Sequence, residues 1–150
     1  MMTVYDNYKY LIDTSPAVAF DKTLLNSKFY QNSCFFPEEI LYELRDNPNY
    51  TYYLTNEIPI TPEVLSFLQT SVLTALDSNR KLLDLYKNQG NGDVFIIATV
   101  LAERYKELGR LFMTHWTIVT EDNGVVKSAQ KHDIQTLNTK EFLELAKSRL

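Results

Sequence analysis

Apolar positions in this chain come in short dense blocks that stop at turn-forming residues, and most blocks are followed by apolar residues at helical spacing. Tyr8-Lys9-Tyr10-Leu11-Ile12 predicts a first strand, and Asp13-Thr14-Ser15-Pro16 turns it into a helix, with Ser15 as cap and Pro16 in the first turn. Ala17, Val18, Phe20, Leu24 and Leu25 continue as a helical stripe that fades at Asn26-Ser27-Lys28. Ser33-Cys34-Phe35-Phe36 predicts a second, buried strand, and Pro37 opens a helix carrying Ile40, Leu41 and Leu44. Asp46-Asn47-Pro48-Asn49 breaks that helix, and the aromatic, β-branched content of Tyr50-Thr51-Tyr52-Tyr53-Leu54 predicts a third strand.

Thr61-Pro62 starts a helix with Leu65, Leu68, Val72 and Leu76 on one face, followed by a second helical piece through Leu82, Leu83, Leu85 and Tyr86. Asn88-Gln89-Gly90-Asn91-Gly92 is the clearest loop. Asp93 then opens the strongly apolar helix Val94-Phe95-Ile96-Ile97-Ala98-Thr99-Val100-Leu101, which ends near Gly109 and is apolar enough to pack on more than one side. Residues 116–120 form the next strand, with a short helix around Val125, Val126 and Ala129 behind it. Ile134-Gln135-Thr136-Leu137 is a last strand, and Asn138 and Glu141 have capping-box spacing at the head of a final helix. Short strands alternating with helices predict an α/β fold with a largely parallel sheet covered on both faces.

At 150 residues and 45% hydrophobic content the chain fits one domain over residues 1–150 with a sizeable core of its own. The single Cys34, inside an apolar run, reads as a core hydrophobe in a reducing compartment, which points to the cytoplasm. The polar, tyrosine-rich start shows no signal peptide, and no apolar run approaches the roughly 20 residues that span a bilayer, so no membrane is expected. A formal charge of -4 excludes a broadly basic surface that holds nucleic acid by counterion release alone; an RNA partner would need bound cations or a local basic patch.

The acids change the picture. In an open parallel sheet ligands bind outside the carboxyl ends of the strands, where the helices begin. Asp13 directly follows the first strand and Asp122 the fourth; Asp93 opens its helix, and Glu43 lies about two turns into the helix after Pro37. Four carboxylates at one edge would repel one another unless a divalent cation or shared protons compensate, and hard oxygen donors suit Mg²⁺ or Mn²⁺. Taken singly, each has a plainer role: Asp93 as a helix cap, Asp13 and Asp122 as turn residues, Glu43 as a solvated helix position. Their joint placement gives the metal its weight.

Leu11-Ile12-Asp13-Thr14-Ser15, Pro37-Glu38-Glu39-Ile40-Leu41-Tyr42-Glu43-Leu44, Gly92-Asp93-Val94-Phe95-Ile96-Ile97-Ala98 and Ile118-Val119-Thr120-Glu121-Asp122 resemble, in order and spacing, the four acidic motifs of PIN domains. Lys131-His132-Asp133-Ile134-Gln135-Thr136-Leu137 and Glu141-Phe142-Leu143 resemble that family's last strand and helix, while residues 46–91 carry no family signature. The resemblance implies a three-layer α/β/α sandwich around a central, mainly parallel five-stranded sheet of order 3-2-1-4-5. It implies a Mg²⁺- or Mn²⁺-dependent endoribonuclease hydrolysing phosphodiester bonds of single-stranded or structured RNA. It also implies frequent homodimers and, because many members are toxins of toxin-antitoxin pairs, an antitoxin partner.

On that reading Asp13, Glu43, Asp93 and Asp122 hold one or two metal ions, directly or through water. The metal activates a water and stabilises charge in an in-line displacement, and Thr14, Ser15 and Thr120 orient waters or phosphate oxygens, with capping the plainer role for Ser15. Glu38, Glu39 and Asp46 rival Glu43, and Glu121 rivals Asp122. Arg80, Lys81, Lys87, Arg104, Lys106 and Arg110 are candidate phosphate contacts against the plainer reading of a solvated face. Tyr50, Tyr52 and Tyr53 are candidates to stack on unpaired bases, with core packing the stronger reading. His115 and His132 lack metal-ligand spacing. A haloacid-dehalogenase-type phosphatase would need an Asp where Ser15 stands, and a receiver domain would need an acid pair ahead of the first-strand Asp. The rival of another class is a catalytically silent PIN-like module that binds RNA or protein.

Overall fold

The computed structural model describes residues 7–69 and 92–150, with the backbone alone at positions 92 and 93. Its strands are β1 (Tyr8–Ile12), β2 (Cys34–Pro37), β3 (Glu57–Ile58), β4 (His115–Val119) and β5 (Gln135–Leu137). They form one sheet in the order β3-β2-β1-β4-β5, and every neighbouring pair is parallel. Among the described residues the helices are α1 (Thr14–Ala17), α2 (Lys22–Leu25), α3 (Lys28–Ser33), α4 (Glu38–Glu43), α5 (Tyr50–Leu54), α6 (Pro62–Phe67), α7 (Gly92–Lys106), α8 (Asn123–Lys131) and α9 (Thr139–Lys147). Parallel neighbours need crossover connections, so helices come to lie on both faces of the sheet.

Alternation of side chains along each strand makes the three layers. Tyr10 and Ile12 of β1, Cys34 and Phe36 of β2 and Val119 of β4 join one core, with Leu24, Leu25, Ile40, Leu41 and Phe142 from the helices above it. Leu11, Phe35, Trp116 and Ile118 face the other way and pack with Val64 of α6, Ile96 and Ile97 of α7, and Val125 and Ala129 of α8. In α7 the consecutive residues Ile96, Ile97, Ala98, Thr99 and Val100 are all buried, so the helix is covered around its circumference as its sequence predicts. It packs against α4, α6, α8 and β2, and the Thr99 hydroxyl is satisfied by donating to the Phe95 carbonyl at 2.7 Å. No helix among the described residues is long and apolar enough to cross a membrane.

Several elements differ from the expectation. Tyr50–Leu54 is helix α5 and not a strand: Tyr53 is fully buried, 5.0 Å from the Phe36 ring, its hydroxyl donating to the Ala17 carbonyl, and Tyr30 Oη donates to the Tyr52 carbonyl. Aromatic content reports fitness for a half-buried surface, and here that surface is one side of a helix. The third strand is instead Glu57–Ile58, placed by Asn56, whose side chain donates to the carbonyls of Cys34 and Tyr30 while its own carbonyl accepts from Phe36 N. The stripe over residues 17–25 is split between α1 and α2, since Asp21 caps α2, and α3, capped by Ser27, was not expected. In α6 the inward residue is Val64, and Leu65 is half exposed. Val72, Leu76, Leu82, Leu83, Leu85, Tyr86 and the loop from Asn88 to Asn91 lie outside the described residues. The capping box of Asn138 and Glu141 forms as expected.

Candidate functional site

In a sheet of this order the chain leaves β1 toward β2 on one side, and β4 joins on the other, so the topological switch point lies between β1 and β4. Their full five-residue register, from Tyr8 opposite His115 to Ile12 opposite Val119, brings both strands to the carboxyl edge together. The ladder runs one step further: Asp13 N donates to the Val119 carbonyl and Thr120 N to the Leu137 carbonyl, each at 3.0 Å. Asp13 and Thr120 are thereby fixed by backbone as well as by side chain.

Thr120, almost fully buried, joins the two aspartates. Its hydroxyl donates to Asp13 Oδ2 at 2.7 Å and accepts from Asp122 N at 3.0 Å, so one oxygen serves both strand ends. Asp13 Oδ1 accepts from Thr14 N at 2.8 Å and caps α1, the role expected of Ser15, which is exposed within that helix. Asp122 Oδ1 accepts from Gly124 N at 2.7 Å and from Val125 N, capping α8. A Cβ at Gly124 would meet that oxygen at 3.1 Å, so the glycine lets the carboxylate sit this close. Both aspartates fill the plain capping role while standing at the switch point.

Glu43, the last residue of the six-residue helix α4, is tied to the same edge: Thr14 Oγ1 donates to its Oε2 at 2.5 Å. Tyr42-Glu43 and Asp13-Thr14 are thus linked across 29 positions. Asp93 is the second residue of α7, which packs against α4; its side chain is outside the described set. Glu121 turns the other way, its Oε1 accepting from Thr139 N at the head of α9, so Asp122 and not Glu121 shares the Thr120 network with Asp13. Glu38 and Glu39 sit in the first turn of α4, and Asp46 is exposed beyond its end.

The one ion pair between described residues is Lys106 with Glu103 on α7, so among those residues no lysine or arginine neutralises Asp13, Glu43 or Asp122. No group of three or more His, Cys, Asp and Glu among the described residues is placed to share one metal ion. Mg²⁺, however, keeps several waters and takes one or two carboxylates directly. Asp13 through its carboxylate and Asp122 through its backbone N–H both bond the Thr120 hydroxyl, and hard carboxylate oxygens at this edge are of the donor type that such an ion takes.

The remaining candidates divide clearly. Arg104 is structural: it donates to the carbonyls of His132 and Asp133 at 2.9 and 2.7 Å, closing the end of α8, where Asp133 has φ 55°. Burial lowers its pKa, partly offset by Asp133. Lys106 is paired, Arg110 is exposed, and Arg80, Lys81 and Lys87 lie outside the described residues. Tyr53 belongs to the core, Tyr50 and Tyr52 are half-buried against it, and burial pushes the Tyr53 phenol up. His115 stacks on Tyr8 with ring centroids 5.0 Å apart, and His132 Nε2 is buried without a partner. Cys34 is buried and free, its thiol pushed up by burial. A cavity of about 460 Å³ over β5, lined by Tyr10, Thr117, Gln135, Arg149 and others, has none of Asp13, Glu43 and Asp122 in its described lining.

One feature beside Glu43 was not singled out from the sequence. Tyr42 is 63% exposed, and the Arg45 guanidinium lies 4.0 Å over its ring while Arg45 Nη1 donates to the Tyr42 carbonyl at 2.7 Å. The signal was a Tyr and an Arg at i and i+3. In comparisons with known proteins, no family model matches the chain, and no curated protein matches it significantly.

Proposed function

We propose that this chain is a PIN-like, Mg²⁺- or Mn²⁺-dependent endoribonuclease that hydrolyses phosphodiester bonds of RNA at the edge marked by Asp13, Glu43, Asp93 and Asp122. The observation that supports the reading is the pair Asp13 and Asp122 at the switch point, the carboxylate of one and the backbone N–H of the other bonded to Thr120, with no ion-paired cation among the described residues. When bound there, the cation would supply Lewis-acid stabilisation of the charge that grows on the phosphate oxygens, and would offset repulsion between an acidic edge and an anionic substrate. Asp13 and Asp122 would hold it, each aimed by the backbone N–H it caps, with Glu43 and Asp93 completing the set directly or through water. Thr120 keeps Asp13 oriented, and Thr14 does the same for Glu43. The buried, unpaired Cys34 supports a cytoplasmic setting. An antitoxin protein and a second copy of the chain are the partners that go with this reading.

A second reading, a silent RNA- or protein-binding module, draws on the capping duties of Asp13 and Asp122, which give both residues a reason to be present without catalysis. Cleavage of a labelled single-stranded RNA by the purified chain, with Mn²⁺, Mg²⁺ or EDTA, separates the two. Asparagine caps a helix as well as aspartate does, so Asp122→Asn should leave the melting curve nearly unchanged and Asp13→Asn, which gives up the acceptor for Thr120, should lower stability by about 1 kcal/mol, while both keep the circular dichroism and lower cleavage by roughly 100-fold. Undiminished activity in both variants refutes the site, and no metal-dependent cutting by the parent protein favours the silent module.

A further inference from the structure

We propose that Tyr42, clasped by Arg45, is a stacking platform for one unpaired base of a single-stranded RNA lying across the carboxylate edge. The proposal rests on the nuclease reading for its choice of ligand, but its chemistry is carried by a separate pair of residues. An isolated exposed aromatic is unremarkable; the geometry around this one is not. The Arg45 guanidinium covers one face of the ring at 4.0 Å, and its bond to the Tyr42 carbonyl ties the charge to the residue it stacks on. Ring and cation are held in register before any ligand arrives, so little side-chain freedom remains to be lost on binding. With Tyr42 63% exposed, a second flat π system can stack on the pair, and the guanidinium keeps most of its five N–H donors for phosphate oxygens.

Position selects the ligand. Tyr42 precedes Glu43 in α4, and Glu43 accepts from Thr14, which follows Asp13, so the platform stands on the helix whose end is tied to the carboxylate edge. A ligand that presents a flat face, an anionic group within reach of a guanidinium, and a phosphodiester beside the acids is a single-stranded nucleic acid; in a duplex both faces of each base are already stacked. The other tyrosine–cation pair serves as a contrast. Lys22 lies 4.6 Å over Tyr52, but its ammonium is turned to Asn49 Oδ1 at 2.6 Å, and Tyr52 is half-buried with its carbonyl held by Tyr30. That pair fastens α2 to α5, while the Tyr42–Arg45 pair fastens nothing to α4 except itself.

The test uses the full chain carrying Asp13→Asn, so that RNA is bound without being cut, and fluorescence anisotropy of a labelled oligoribonucleotide in Mg²⁺. Adding Tyr42→Ala should weaken binding about 10-fold or more, Tyr42→Phe should keep it within about twofold, and an abasic strand should not distinguish Tyr42 from alanine. Arg45→Ala should weaken binding and make the slope of log affinity against log salt shallower by about 0.7, the share of one single-strand phosphate. Equal binding by Tyr42 and Tyr42→Ala overturns the platform, and so does failure of either protein to bind RNA. Cleavage by the chain with Asp13 intact is scored separately. Metal-dependent cutting with no Tyr42 effect leaves the nuclease reading standing and the platform refuted; Tyr42-dependent binding with no cutting does the reverse.

Discussion

At the scale of single residues, Thr120 explains the edge best. It is the one buried hydroxyl whose donor and acceptor roles are both spent between Asp13 and Asp122. Thr120→Val preserves shape and removes both bonds, leaving the Asp122 N–H and one Asp13 oxygen short of a partner, at a cost of about 1–3 kcal/mol. Thr120→Ser should recover most of it, as read by urea unfolding. The positions of the aspartates at the strand ends were legible because an acid directly after an apolar β-branched run is visible in sequence, whereas the hydroxyl bonded to both residues was visible only as a polar position between them. Ser15 misled for a related reason. Ser, Asp and Pro all signal a helix start, but the cap is the residue with extended backbone whose oxygen reaches a free N–H, and that is Asp13, with φ −81° and ψ 167°.

Among the elements, the ones read correctly have a pattern with a single physical meaning. Cys34-Phe35-Phe36 is buried on both faces of a sheet, and α7 is buried around its girth; an unbroken apolar run encodes each. Tyr50–Leu54 failed because aromatic density fits any half-buried surface, and β3 failed because two residues cannot show an alternation. What places β3 is a side chain outside it. Asn56→Ala removes the bonds to the Cys34 and Tyr30 carbonyls, and should destabilise the chain by about 1–3 kcal/mol. The amide of Phe36, which donates to the Asn56 carbonyl, should exchange with deuterium distinctly faster in that variant, while the β1–β4 amides keep their relative protection. Uniform loss of protection across the sheet would show instead that Asn56 supports the whole fold.

For the whole molecule, burial of ionisable groups in the core between the sheet and α1–α4 sets an alkaline limit. Burial raises the pKa of Cys34 from 9.0 and of Tyr30 from 10.0, so the unfolded chain releases these protons first. Their contribution to stability is therefore complete below pH 9.0 and is lost as pH rises beyond it, at up to about 1.4 kcal/mol per pH unit for each group. Urea midpoints compared at about pH 8 and about pH 10.5 should fall in the parent chain and fall less in Cys34→Ala. The arrangement that gives the switch point its two aspartates also imposes an order of events. The central strand β1 is the first of the described strands, and its partner β4 lies 107 positions later, with β2 on the nearer side. During synthesis β1 can pair with β2 early, but its other edge stays open until most of the chain has left the ribosome. Asp13 and Asp122 therefore come together late, only once β4 has emerged and paired with β1, while α8, β5 and α9 still follow.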